Sequence, residues 1–173
     1  MRFPMTLGRA AKVVTSFVAL LLLYLFAVPF ILHGAARLPL LVGAVVPVLV
    51  LLTLALTFLW APRAVRLDAD ALVIERLAWF ELRVPYSEIA HVSPGPSLGL
   101  LGNGVLRVAG NGGLMGFTGF FWVRDVGVVR LWATQLGTPT LLLRRHRGRP
   151  LVLGVDDNDG LAKALKAHLG PWA

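Results

Sequence analysis

The chain has 173 residues, of which 57% are hydrophobic and only 15% charged, and its mean hydropathy is +0.74. That balance excludes an ordinary soluble domain as the whole account and makes a membrane class the starting expectation. No cysteine is present, which removes disulfides, zinc–thiolate sites and thiol nucleophiles, and leaves the net charge of +8 to be placed.

Two uncharged apolar runs come first, Val13 to Leu32 and Leu38 to Trp60. At about 1.5 Å per residue each is long enough to cross a hydrocarbon core of roughly 30 Å. The pattern predicts a membrane α-hairpin over residues 1–61, with transmembrane helices at 13–32 and 38–60. Arg2, Arg9, Lys12 and Arg37 are the basic residues of this segment and no acid joins them, so half of the +8 excess flanks the apolar runs. What is left forms no dense basic stripe interleaved with aromatics, which argues against nucleic acid as a partner. Arg2, Arg9 and Lys12 precede the first run, Arg63 and Arg66 follow the second, and only Arg37 lies in the short connection from His33. Positive charge collects on the cytoplasmic side, so the expected location is the inner membrane, multi-pass, with both termini cytoplasmic. A cleaved signal peptide is the rival reading; the first run is longer than the usual apolar core of such a signal, and Ala35-Ala36 is a poor cleavage site. Pro29, Pro47 and Tyr24 lie inside the runs, where proline and a single hydroxyl are tolerated, and no ionisable side chain there forms an ion or proton relay.

Beyond Pro62 the pattern changes to short strands separated by turn residues. Arg63–Leu67 and Leu72–Leu77 bracket a turn at Asp68-Ala69-Asp70-Ala71, and Leu82–Val84 leads into Pro85-Tyr86-Ser87-Glu88-Ile89. Val128–Thr134, Thr140–Arg145 and Pro150–Val155 are further strands. The run Asp156-Asp157-Asn158-Asp159 offers N-caps for a final helix with Leu161, Ala164, Leu165, His168 and Leu169 at helical spacing, stopped by Gly170-Pro171. Several antiparallel strands and one amphipathic helix predict a mainly-β (α+β) domain over residues 62–173, a small barrel plugged by the C-terminal helix.

Two stretches, LVIERLAWFELRVPYSEIAHV (residues 72–92, with its proline-led corner) and GNGGLMGFTGFFWVRDVGVVRLWATQ (residues 110–135), make this region resemble the bacterial PH-like domain proteins, many of which carry a transmembrane helix pair before the domain. The resemblance implies a PH-like barrel that binds or positions a protein partner or a lipid surface, an interaction or scaffolding module with no catalysis and no cofactor. One departure matters: the first hairpin loop, basic in phosphoinositide-binding relatives, is here Asp68-Ala69-Asp70 and repels phosphate, so phosphoinositide binding is not carried over.

Other motifs weigh less. Gly95-Pro96-Ser97-Leu98-Gly99 spells G-x-S-x-G, with Asp125 and His168 following in hydrolase order, but Pro94, Pro96, Gly99 and Gly102 spoil the strand and helix that a nucleophile elbow needs. The glycines at 102, 104, 110, 112 and 113 lack phosphate-loop spacing and read as loop or bulge positions. His33, His91, His146 and His168 have no partner at metal-ligand spacing, so no metal site is expected. Residues 113–123, too short to span a bilayer, read either as a buried strand or as aromatics (Phe117, Phe120, Phe121, Trp122) that reach the bilayer or a partner. Arg144, Arg145, Arg147 and Arg149 crowd one hairpin, either a solvated turn or a contact for an anionic leaflet or acidic partner. Two further function classes stay open: an accessory or sensor subunit of a membrane transporter, and a lipid-processing hydrolase using Ser97.

Overall fold

The computed structural model describes residues 1–33, 40–76, 81–98, 104–135 and 137–170. A short strand β1 (Arg2–Pro4) precedes two long helices, α1 (Arg9–His33) and α2 (Leu40–Leu59). The helices cover the two apolar runs, with α1 starting earlier than expected and taking in Arg9 and Lys12. Most of the expected connection after His33 lies outside the described residues, as does Pro39. In α2 the hydroxyls of Thr53 and Thr57 donate to the carbonyls of Leu49 and Thr53 at 2.7 and 2.6 Å, so this apolar helix satisfies its own polar side chains. Phe17, Leu20, Leu23 and Tyr24 of α1 and Leu49, Leu52 and Leu56 of α2 stand exposed. Within the described residues no helix is long and apolar enough to cross a membrane; part of each helix lies outside the residues whose side chains are described.

Two sheets follow. The first has the order β1-β2-β3-β4, all antiparallel, with β2 (Pro62–Leu67), β3 (Ala71–Arg76) and β4 (Leu82–Pro85). The Pro85 corner is formed as expected: one turn of 3-10 helix, Tyr86–Glu88, carries the chain into β5 (Ile89–Pro94) of the second sheet. That sheet adds β6 (Val105–Gly113), β7 (Gly116–Val123), β8 (Gly127–Ala133), β9 (Leu141–Arg145) and β10 (Leu151–Gly154) in the order β5-β9-β10-β8-β7-β6. All its pairs are antiparallel except β10 against β8. Helix α3 (Asn158–Leu169) ends the domain, capped by the Asp157 carboxylate accepting from the Gly160 amide at 2.8 Å.

The main core lies between the two sheets and under α3, where Val65, Leu72, Ile74 and Val84 meet Leu143, Leu151, Leu153, Leu161 and Leu165. A second core sits on the outer face of the larger sheet, with Leu98, Phe121, Val123, Val129, Leu131, Leu142 and Val152. Strands β9 and β10 are buried on both faces, which is why they read LLL and LVL rather than alternating.

Two expectations need correction. The domain is not a closed barrel: no strand pair joins the two sheets among the described residues, because the 3-10 turn breaks the ladder between β4 and β5. The glycine-rich stretch at 104–113 is not a loop; Val105–Gly113 is a strand, bulged between Arg107 and Ala109, whose glycines pair with β7. Ahead of the helices, β1 pairs with β2 and so adds an edge strand to the smaller sheet.

The leading segment is stitched down along its whole length. Leu67 donates to the Met1 carbonyl at 2.8 Å and Met5 to the Arg63 carbonyl at 2.9 Å. The Pro4 carbonyl accepts from Asp156 at 3.1 Å, and the Asp156 carboxylate accepts from the Thr6 amide and hydroxyl, each at 3.0 Å, and from Gln135 at 2.8 Å. Gly8 donates to the Thr134 carbonyl at 3.1 Å one residue before α1 starts. Met5 is itself part of the main core. Met5→Ala is therefore expected to destabilise the β-domain by about 2–3 kcal/mol, as truncation of a buried methionine does. Urea denaturation of the purified protein measures it; a loss below about 0.5 kcal/mol, the size of an ordinary surface change, would show the segment to be only loosely attached.

Candidate functional site

Strand alternation sorts the candidate aromatics. Phe121 is 6% exposed in the second core, and Phe117 packs against the same core. Thr118, Phe120 and Trp122 occupy the opposite face, with Trp122 40% exposed beside its cross-strand partner Leu106, 63% exposed. The four arginines also part company. Arg145 pairs with Glu88, Arg149 lies over the Phe120 ring with its guanidinium carbon 4.9 Å from the centroid, and Arg144 and Arg147 are exposed. Thus one aromatic and one arginine of the two candidate groups come together, Phe120 with Arg149.

They meet at the edge of a cavity of about 600 Å³. Leu56, Thr57 and Trp60, the last turn of α2 and the residue beyond it, form one wall; Thr118 and Phe120 of β7 form the other. Arg76, Arg130 and Trp132 stand between them. Two guanidinium groups lie near the Trp132 ring, Arg76 at 4.6 Å and Arg130 at 5.3 Å from its centroid, and Arg76 also faces Trp60 at 6.0 Å. Gly110 and Gly119 face each other across the β6–β7 ladder at φ 120° and 132°, and a side chain on either would collide with the opposite backbone, at the Thr118 and Ala109 carbonyls respectively. The cavity floor is bare because the ladder admits only glycine there. The β6–β7 turn rests on α1: the Met115 amide donates to Thr15 Oγ1 at 3.0 Å.

The electrostatics of this cavity are unbalanced. All nine Asp and Glu side chains fall among the described residues, and the ion pairs they make involve Arg2, Arg66, Arg83 and Arg145. Arg76 and Arg130 have no acidic partner among the described residues. Burial first, and then the charge of Arg130, hold the Arg76 guanidinium below its ordinary value; burial and then Arg145 do the same for Arg130. Arg76 Nε and Trp132 Nε1 are buried without a hydrogen-bond acceptor among the described residues. In the first hairpin loop the balance is opposite: Asp68 is held by Arg66, whose hydrogen bond keeps that carboxyl below its ordinary value, and Asp70 by Arg83 at 2.6 Å.

No hydrogen bond joins Ser97, Asp125 and His168 among the described residues. His168 Nδ1 contacts its own helix at the Ala164 carbonyl, 2.8 Å away, and its ring packs on Tyr86. Ser97 is exposed in coil after β5.

Sequence reasoning passed over Arg76, Arg130 and Trp132. The available signal was parity: in VVRLW, Arg130 and Trp132 share a strand face, and an arginine inside an otherwise apolar strand needs an explanation for its charge. A model of the bacterial PH domain matches residues 63–168. Neither the curated proteins nor the solved structures contain a match.

The facing glycines carry a stability prediction. Gly119→Ala should cost about 2–3 kcal/mol, from positive-φ strain plus the collision with Ala109, while Gly127→Ala, also at positive φ but with open space around it, should cost about 1 kcal/mol. Thermal or urea denaturation of both variants checks the ordering; equal losses would remove the close approach as the reason for glycine at 119.

Proposed function

Since the chain belongs to the bacterial PH domain family, we propose that it acts as a membrane-anchored interaction module, non-catalytic, that holds a PH-like domain against the lipid surface for contact with a protein partner. The observation that carries this reading is the bracketing of the helix pair: β1 precedes it, β2 follows it, and the two strands are hydrogen-bonded to each other. Whatever the helices enter, both of their outer ends return to one rigid sheet. The uncharged runs at 13–32 and 38–60 and the exposed leucines and aromatics of both helices support a bilayer as the medium they enter, because water would oppose so much exposed apolar surface. The basic residues on the domain side of both helices support a cytoplasmic domain in the inner membrane. In that setting the β6–β7 turn, resting on Thr15, lies at the interface, and Leu106, Val108 and Trp122 form the apolar patch left for a partner. Arg144 and Arg147, in and just after β9, are exposed and available to an acidic partner.

Reporter fusions at residues 36 and 170 test the anchoring. The reporter at 36 should be active only on the periplasmic side and that at 170 only on the cytoplasmic side, with the protein retained in membranes after an alkaline wash. Release by that wash, or both reporters on one side, refutes the reading. A photo-crosslinking residue at 122 tests the contact surface. Protein adducts at 122 and none at Lys163 are expected; adducts at neither position remove the patch as an interaction surface.

A further inference from the structure

We propose that the cavity between α2 and the larger sheet binds one anionic phospholipid, its phosphate seated between Arg76 and Arg130 and its acyl chains lying along Leu56 and Leu52 of α2. This rests on the membrane-anchored reading above and adds a ligand and a site to it.

The chemistry of the walls selects the class. Arg76 and Arg130 are two half-buried cations with no acidic partner among the described residues, both near the same indole. An anion between them offsets the burial of both, and a phosphate suits two guanidinium forks because it offers several acceptor oxygens rather than two. Arg76 Nε and Trp132 Nε1, buried donors without acceptors among the described residues, border the same space. The depressed guanidinium values described above come first from burial and then from a neighbouring positive charge, and an anion would offset both.

The opposite wall is apolar and continuous with the exposed face of α2. Leu49, Leu52 and Leu56 recur at helical spacing and are all exposed, so a chain leaving the cavity past Leu56 stays on leucine. A volume of about 600 Å³ accommodates a headgroup, glycerol and the first methylenes, with the remaining chain in the bilayer. A zwitterionic lipid fits less well. Its ammonium would need a carboxylate, and no acidic residue lines the cavity. The site is also separate from the first hairpin loop, where Asp68 and Asp70 are acidic and paired.

Native mass spectrometry of the full chain in mild detergent, titrated with phosphatidylglycerol or phosphatidylcholine, tests the proposal. The expected result is about tenfold tighter retention of phosphatidylglycerol, the preference falling within about twofold of unity in Arg76→Gln/Arg130→Gln. Lys163→Gln/Lys166→Gln removes the same charge from exposed positions on α3 and should leave the preference intact. If the glutamine pair does not fold, Arg76→Lys/Arg130→Lys gives the readout: charge is kept, the fork is lost, and the preference should drop to an intermediate value. Equal binding of the two lipids by the unaltered protein overturns the proposal. So does an undiminished preference in folded glutamine or lysine variants, or displacement of phosphatidylglycerol by millimolar inorganic phosphate, which would make this a site for the free anion. Membrane retention after an alkaline wash, combined with no lipid preference, overturns the lipid site alone; release by the wash removes the anchored reading itself.

Discussion

The hydrogen bonds between residues 1–8 and the rest of the domain are the constraint on which the remaining architecture depends. The helix pair leaves the domain after Gly8 and re-enters it at Pro62, and both points are tied to β-structure: Gly8 to Thr134, Pro62 to Arg76. A hairpin of two helices has two free ends, and here neither is free. The exit of α2 therefore lies where Trp60 meets Arg76, and the entry of α1 lies where Thr15 meets the β6–β7 turn. The cavity lies beside the exit of α2, and its position follows from these attachments.

The sheets then divide the work. In the middle of the larger sheet both faces are covered, so Leu141–Leu143 of β9 and Leu151–Leu153 of β10 are apolar and hold the two cores together. Toward β7 and β6 the smaller sheet no longer covers the inner face, and the side chains there change from leucine to arginine, glycine and aromatic residues. The transition occurs within one strand: Trp132 of β8 belongs to the main core, and Arg130, two residues earlier on the same face, lines the cavity. Two guanidinium groups without acids at such a place are costly in a finished interior, where unpaired charge is strongly disfavoured. They are tolerated here because the cavity is open and polar atoms can be met from outside the chain.

Much of the fold was legible. Uncharged runs marked both helices, Pro85 marked the corner, and the spacing of Leu161 and Leu165 marked the apolar face of α3. What failed did so for identifiable reasons. The β1 strand is three residues long and gains its meaning only from a partner about sixty residues away, which no local pattern reveals. Strand β6 was hidden by glycine, a residue that weakens a strand, yet glycine is required where β6 and β7 approach face to face at Gly110 and Gly119. Of the candidate site, the aromatic segment was readable, but its division into buried Phe121 and cavity-lining Phe120 depends on register. The arginine hairpin was the visible cluster of charge; the arginines that face the cavity are scattered, one at the end of β3 and one in β8, and only tertiary pairing brings them together.

The latch formed by β1 has a consequence for the order of events during synthesis. The ribosome makes β1 first, but its partner β2 emerges only after both helices, 58 positions later counted from Pro4 to Pro62. At translation rates of about 5–20 residues per second β1 waits roughly 3–12 s as an unpaired edge. During that wait the helix pair can form, and its pairing brings residues 8 and 62 close together and removes most of the loop-closure entropy that β1–β2 pairing would otherwise face. Helix pairing thus acts as the nucleation step for the smaller sheet. The β-domain inherits its chain direction and its first strand register from an event that precedes the appearance of its core.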